Sequence, residues 1–147
     1  MKAYDIITED IRAAIEKSIA DAESMTSGEI RIHIEDECSI DPLERAAFIF
    51  EKLKMFDTKD RNGVLFYLAV IDKKFAILGD SGIHKIVGQD FWNATNNEVI
   101  SILKTGDIAK ALCAGVLDAG QKLKAHFPLE KSDRNELSDS ISFHINE

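Results

Sequence analysis

Cysteine is scarce in this sequence, with only Cys38 and Cys113 among 147 residues. Two cysteines are too few for a disulfide framework, and neither has the CxxC or Cys/His spacing of a zinc site. We therefore predict two free thiols, with Cys113 in the core and Cys38 in a loop.

Basic residues are also few, since 18 lysines and arginines stand against 26 aspartates and glutamates and the formal net charge is −8. Proteins that bind nucleic acid neutralise phosphates with lysine and arginine, and anionic membranes attract the same residues. The composition therefore argues against nucleic acid and anionic membrane surfaces as partners.

Long apolar runs are missing too. The longest one, residues 64–71, is far shorter than the roughly 20 residues that a membrane-spanning helix needs. The first ten residues contain acidic side chains where a secretory signal has its apolar segment. We therefore predict no membrane span and a cytoplasmic location. The 45% of hydrophobic residues are enough for one domain with a sizeable core.

Hydrophobic spacing predicts helices that alternate with strands. Thr8 is a suitable N-cap for a first helix that ends near Ser27, and Asp41 followed by Pro42 starts a second one. Strict alternation predicts a half-covered first strand, on whose polar face His33 is solvated or covered by a helix. The predicted strands are residues 29–35, 64–70 and 75–79, and two further helical patterns cover residues 92–103 and 108–123.

The order of these elements predicts the topology. A right-handed crossover makes the first two strands parallel, and the short turn after residue 71 makes the third antiparallel to the second. We therefore predict a single-domain α/β/α sandwich, in which a mixed sheet with a βαβ unit and a hairpin is flanked by helices. The domain covers residues 1–128. Residues 129–147 are predicted to form a flexible polar tail, in which the alternation at 140–145 could add an edge strand.

The predicted topology brings three polar loops to one edge of the sheet, where the first two strands begin and the third ends. Oxygen ligands without histidine or cysteine suit a hard cation such as Ca²⁺ or Mg²⁺ and argue against zinc. The candidate ligands from these loops are Glu29, Asp57, Asp60, Asn62 and Asp80.

Each candidate also has a purely structural explanation. Residues 60–63 are a common turn signal, Asp57 can end a helix, and Asp80 can cap the next one. Carboxylates that are held close together nevertheless repel unless a cation or a proton lies between them. We therefore predict a divalent cation site that is assembled between loops, since the spacing is not that of an EF-hand.

Several segments together resemble the TPM-domain family over about residues 8–128. They contain the motifs NGVL at 62–65 and GDxGI at 79–83 and the FW pair at 91–92. The resemblance implies a mixed sheet flanked by helices and divalent-metal binding, Ca²⁺ included. Similarity to plant members that act in photosystem II repair implies an acid phosphatase activity. By position, it assigns Asp60, Asn62 and Asp80 as metal ligands, with Asp57 and Glu29 as further candidates.

Three functions stay open at this point. The first is a Ca²⁺ or Mg²⁺ binding domain with a binding or regulatory role. The second is a metal-assisted phosphatase, in which the cation polarises a phosphoryl oxygen and activates water, although the sequence names no arginine clamp or nucleophile for it. The third is a metal-free module for an unidentified protein partner, with solvated acidic loops and the tail as its contact.

Overall fold

A computed structural model of the chain describes residues 2–129 and 137–145. Its first half alternates helices and strands, and its second half is helical. In chain order the elements are α1 (Ala3–Ile6), α2 (Glu9–Glu23), β1 (Glu29–Glu35), α3 (Pro42–Lys52), β2 (Gly63–Ala69), β3 (Lys74–Gly79), α4 (Ser81–Val87), a 3₁₀ turn (Gln89–Trp92), α5 (Asn93–Leu103) and α6 (Ile108–Lys124).

The sheet has the strand order β1-β2-β3. β1 and β2 are parallel, with Glu29 opposite Gly63, whereas β2 and β3 are antiparallel, with Val64 opposite Gly79. Every residue of the central strand β2 is buried, as expected for a continuous apolar run that is covered on both faces. The predicted mixed sheet, with its βαβ unit and hairpin, is confirmed.

Two apolar cores lie on the opposite faces of the sheet. On one face, α2, α5 and α6 pack together over the even-numbered side chains of β1 and β2, such as Ile32 and Phe66. On the other face, α3 packs over Leu65 and Tyr67 of β2 and over Ala76 of β3. These helix layers on both faces confirm the predicted α/β/α sandwich.

Polar side chains start the long helices as predicted. The hydroxyl of Thr8 accepts a hydrogen bond from the backbone of Ile11 at the start of α2, and Asp41 caps α3 ahead of Pro42. The predicted end of the first helix is too late, because α2 ends at Glu23. The chain has already left the helix at Thr26, which pairs with Pro128 in an isolated antiparallel bridge.

The sequence analysis set no bounds for the short helical elements. α1, α4 and the 3₁₀ turn contain only four to seven residues each, which is too short for a hydrophobic period to show. α4 matters for the site because its N-cap is Asp80, whose carboxylate accepts a hydrogen bond from the backbone N–H of Ser81.

The two cysteines are free, as predicted, and Cys38 lies in a loop, but the predicted burial of Cys113 in the core is wrong. Cys113 lies within α6 and is only half-buried, with its sulfur 3.6 Å from the carbonyl oxygen of Ala14. Cys38 follows β1 in a loop and is buried. Within the part of the chain that the structure describes, no helix is both long and apolar enough to cross a membrane.

Residues 137–145, which we call the C-terminal segment, lie along the open edge of β1. Ser142 pairs with His33 in an isolated parallel bridge. The backbone N–H of Ser142 donates to Ile32 at 3.0 Å, and that of Ile34 donates to Ser142 at 2.9 Å. The alternation at 140–145 therefore corresponds to one bridge on this edge. Residues 130–136 and 146–147 of the predicted tail lie outside the described residues.

Candidate functional site

Three connections meet at the edge of the sheet where β1 and β2 begin and β3 ends. We call this edge the rim and define it as residues 26–29, 57–62 and 79–82. The backbone N–H of Glu29 donates to Asn62 at 3.2 Å, and that of Gly82 donates to Arg61 at 2.9 Å. The backbone N–H of Asp80 also donates to the carbonyl oxygen of Gly63 at 2.9 Å, which joins the end of β3 to the start of β2. Four of the five predicted site residues therefore lie in these connections and the fifth, Glu29, is the first residue of β1, and backbone hydrogen bonds join the connections.

Gly82 allows two of these loops to approach closely. A Cβ atom at this position would lie 2.6 Å from the carbonyl oxygen of Arg61 and would also collide with the carbonyl oxygen of Asp60. Both neighbours are backbone atoms, so a side chain cannot be accommodated by a change of rotamer. The second glycine of the GDxGI motif is therefore required by the packing of the rim.

The carboxylate of Asp80 is paired with Arg61. Arg61 Nε donates to Oδ2 of Asp80 at 2.7 Å, and Nη2 donates to Oδ1 at 2.8 Å, which is the bidentate geometry of a strong charge-assisted pair. The side chain of Asp80 is 4% exposed, whereas that of Arg61 is 49% exposed. The hydrogen bond from Arg61 and the charge of Asp80 raise the pKa of the guanidinium. The buried carboxylate is thus neutralised by an arginine that solvent can reach.

Arg61 is the rim residue that the sequence analysis did not select. It lies inside the turn signal at residues 60–63, where its φ of 49° places it in the left-handed region. Such a backbone conformation is uncommon for a residue other than glycine. A basic residue between two candidate ligands, Asp60 and Asn62, was the signal that could have identified it.

Asn62 and Glu29 are buried at the rim and already have hydrogen-bond partners. The amide nitrogen of Asn62 donates to the hydroxyl of Ser27 at 3.4 Å. Oε1 of Glu29 accepts from the backbone N–H of Leu137 at 2.7 Å. Both side chains therefore join the rim to other parts of the chain.

Asp57 and Asp60 are exposed on the loop before β2. In residues 2–129 and 137–145, no group of three or more histidine, cysteine, aspartate or glutamate side chains is placed to hold a metal ion. The donors that the loops supply are all oxygens, which suits Ca²⁺ or Mg²⁺. In the arrangement described, however, Arg61 holds the position of counter-cation to Asp80.

A cavity of about 370 Å³ opens beside the pair of Arg61 and Asp80. The helix α3 and the loop that follows it contribute five lining residues, two of them aromatic, and the end of β3 with Asp80 contributes the other three. The lining residues are Ala47, Phe50, Glu51, Phe56, Arg61, Leu78, Gly79 and Asp80.

A second polar cluster is buried on the α3 face of the sheet. Glu35 receives hydrogen bonds from Arg45 Nη2 at 2.6 Å and from the hydroxyl of Tyr67 at 2.7 Å, and its Oε1 lies 3.1 Å from Nε2 of His33. Burial would raise the pKa of Glu35, but the hydrogen bonds from His33, Arg45 and Tyr67 outweigh it and lower the pKa to about 2. His33 is fully buried in this cluster rather than solvated.

Comparisons with known proteins agree with this architecture. A family model described as the TPM domain matches residues 1–122. The chain is similar to the BA42 protein from the psychrophilic bacterium Bizionia argentinensis, whose NMR structure has a TM-score of 0.87 and 44% sequence identity over 93% of this chain and 94% of that one. A search of curated proteins found no match.

A more distant similarity concerns the fold alone. The N-terminal domain of the cg2496 protein from Corynebacterium glutamicum has a TM-score of 0.62 and 15% sequence identity, over 96% of this chain and 83% of that one. The layered arrangement of helices on a mixed sheet is therefore shared by proteins whose sequences differ widely.

Proposed function

The chain belongs to the TPM-domain family, and from this premise we propose that it is a divalent-cation-binding domain whose site is the rim. The ion is Ca²⁺ or Mg²⁺, and the role is binding or regulation in the cytoplasm. The observation that supports this proposal most directly is the pairing of the buried Asp80 carboxylate with the half-exposed Arg61 side chain.

A cation can take the place of Arg61 with little cost to the fold. An uncompensated buried carboxylate is unfavourable, so Asp80 needs a positive partner at neutral pH. The side chain of Arg61 is partly exposed to solvent and can turn outward. The carboxylate of Asp80, in contrast, is held in place by its hydrogen bond with the backbone N–H of Ser81. A bound ion would provide the same neutralisation with two charges.

The loops of the rim supply the other ligands in this proposal. Asp60 lies next to Arg61 in the chain, and Asp57 lies on the same exposed loop. Asn62 and Glu29 offer further oxygens at the buried side of the rim. Asp60, Asn62 and Asp80 are the central ligands in this proposal, and Asp57 and Glu29 complete the oxygen set that a hard cation prefers.

Titration of the apo protein with CaCl₂ or MgCl₂, followed by backbone amide NMR, tests this proposal. We expect saturable shifts at residues 57–63 and 80–82, and their loss in Asp80→Asn. Arg61→Gln should bind the cation more tightly than wild type, because it removes the competing guanidinium. Lys54→Gln is the matched control, since Lys54 is also exposed, has its backbone in the left-handed region and carries the same charge.

The outcomes separate the open alternatives. If wild type and Arg61→Gln both show no shifts at millimolar metal, the cation proposal is wrong and a metal-free interaction domain is favoured. If Lys54→Gln tightens binding as much as Arg61→Gln does, long-range charge accounts for the effect and the specific competition at Asp80 is refuted.

A phosphatase is the second candidate, and the placement of Arg61 favours it. The sequence analysis identified no arginine that could bind a phosphoryl group. In the structure, Arg61 and Asp80 both line the cavity beside the rim. A guanidinium binds phosphate oxygens well because its donors form a planar fork. Turnover of p-nitrophenyl phosphate that requires Mg²⁺ and is lost in Asp80→Asn would support this activity. Binding without turnover would leave the domain as a cation-binding module.

A further inference from the structure

The open edge of β1 holds a recognition site that is distinct from the rim. We propose that this edge binds an extended peptide of a partner protein by strand addition, and that the C-terminal segment occupies the edge as an internal ligand. The peptide carries a hydroxyl residue followed by an aromatic residue. This proposal does not depend on cation binding.

The main-chain contacts of the C-terminal segment show how a peptide is held. The carbonyl of Ile32 accepts from the N–H of Ser142, and the N–H of Ile34 donates to the carbonyl of Ser142. The two main-chain groups that flank His33 on the outer side of β1 are therefore both paired. An edge strand offers such bonds to any extended chain that can lie beside it. Peptide-binding domains use this form of recognition widely.

The buried side chain of His33 recognises the hydroxyl residue by a hydrogen bond. Nδ1 of His33 is hydrogen-bonded to Oγ of Ser142 at 2.7 Å, and its Nε2 lies 3.1 Å from Glu35. Glu35 is held in turn by Arg45 and Tyr67. Because His33 is fully buried and its ring is fixed from the other side, it presents one nitrogen to the edge in a set direction. This arrangement favours serine or threonine at the position of Ser142.

An aromatic site lies next along the edge. The ring of Phe143 makes an edge-to-face contact with Tyr4, with 5.4 Å between the ring centroids. The guanidinium of Arg12 lies 5.0 Å from the centroid of the same ring, within the range of a cation–π interaction. These two side chains come from α1 and α2, so the fold itself provides the site for the residue after the hydroxyl.

The internal ligand uses little of the main-chain edge of β1. Among the described residues it forms one bridge to β1, whereas β2 pairs with all seven residues of β1. Most of its other contacts involve side chains, such as the bond between Glu29 and the backbone of Leu137. A cavity of about 370 Å³ lies at the end of β1; Ile34, Glu35 and Asp36 contribute to one part of its wall, and Phe143 and His144 contribute to another. A longer strand from a partner could therefore form more contacts than the C-terminal segment does.

A synthetic peptide with the sequence of residues 137–145 and a fluorescent label tests the proposal on the full-length chain. Ser142→Pro removes the N–H that donates to Ile32 and so releases the internal segment. We expect the peptide to bind this variant saturably, with amide shifts at Ile32 and Ile34. Wild type should bind it at least roughly tenfold more weakly, because the tethered segment competes at high effective concentration.

Changes in the peptide test its specificity. Peptides that carry alanine in place of Ser142 or Phe143 should bind Ser142→Pro several-fold more weakly, and a scrambled peptide should not bind. Should Ser142→Pro lose the native spectrum, the Phe143→Ala chain replaces it, because that variant removes the ring contacts with Tyr4 and Arg12 and so weakens the internal segment. Equal binding of all four peptides, or no gain over wild type in a folded variant, would show that the C-terminal segment is only a brace.

Discussion

Glu29 and Leu137 are joined by a hydrogen bond between the carboxylate Oε1 and the backbone N–H, at 2.7 Å and across 108 positions of sequence. This bond places the start of the C-terminal segment at the rim. The bond therefore links the rim to the segment that occupies the open edge of β1.

Loss of this bond should loosen the C-terminal segment. We expect Glu29→Ala to destabilise the fold by about 2 kcal/mol, since a hydrogen bond to a charged group contributes roughly 1.5–3 kcal/mol. Hydrogen exchange at Leu137 should become faster, and urea denaturation measures the loss of stability. Glu29→Gln keeps an acceptor at Oε1 and is the control. Unchanged exchange at Leu137 in Glu29→Ala would contradict the role given to this contact.

Glu35 should contribute to stability at neutral pH and not in strong acid. Its pKa in the fold is about 2, below its ordinary value of 4.5. A lowered carboxyl pKa stabilises the fold fully above pH 4.5, and that contribution is lost as the pH falls towards 2. Glu35→Gln should therefore cost about 2 kcal/mol at pH 7, with a difference that shrinks steadily below pH 4.5.

The measurement for Glu35 is denaturant unfolding of wild type and variant between pH 2 and 7. Glu44→Gln is the control, because Glu44 is exposed on the neighbouring helix α3. A difference between Glu35→Gln and wild type that stays constant over this range would exclude the ionised carboxylate as its source.

Glu23 should have the opposite effect of pH on stability from Glu35, because its pKa is raised rather than lowered. Burial and the hydrogen bond with Asp139 raise its pKa to about 9, with smaller effects from neighbouring charges. The folded protein then keeps a proton that the unfolded chain releases above pH 4.5, so stability falls as the pH rises towards 9. Glu23→Gln should remove this penalty and stabilise the protein at pH 8 by at least about 1 kcal/mol, the equivalent of roughly one pKa unit.

Thermal unfolding at pH 4 and pH 8 checks the behaviour of Glu23. Its amide substitute can still accept from the N–H of Ile30, as Oε2 of Glu23 does at 2.9 Å. Asp21→Asn on the same helix is the control, since Asp21 is exposed and forms a surface pair with Lys17. A gain that is the same at both pH values would show that Glu23 does not retain its proton.

Gly82→Ala should disturb the rim more than any exposed substitution beside it. The new methyl group would collide with the backbone of the loop before β2, and such overpacking typically costs 1–3 kcal/mol. Urea denaturation measures this loss, and amide shifts should concentrate at residues 60–62. Ser81→Ala, at an exposed neighbour in the same helix, should change stability by much less. Equal effects of the two variants would contradict the close approach.

The fold was largely predictable because its signals are local. Thr8 and Asp41 cap helices through atoms two or three residues away, and the strands follow from periods of two residues or from apolar runs. The strand directions, parallel across the crossover and antiparallel across the hairpin, then placed the loops of Asp60 and Asp80 at one edge of the sheet. The bounds of the short helix α4 were not predicted, because its seven residues are too few to show a period, although Asp80 was named as a possible cap for a helix there.

The sequence by itself determined the layers, the strand order and the edge at which the polar loops meet, since periodicity and chain connectivity are written in neighbouring residues. Only the tertiary structure decided the partners of the polar groups. Arg61 reaches Asp80 over 19 positions and Ser142 reaches His33 over 109. Such pairs depend on approaches of about 3 Å between side chains from separate elements, and no local pattern specifies which of the available groups comes that close.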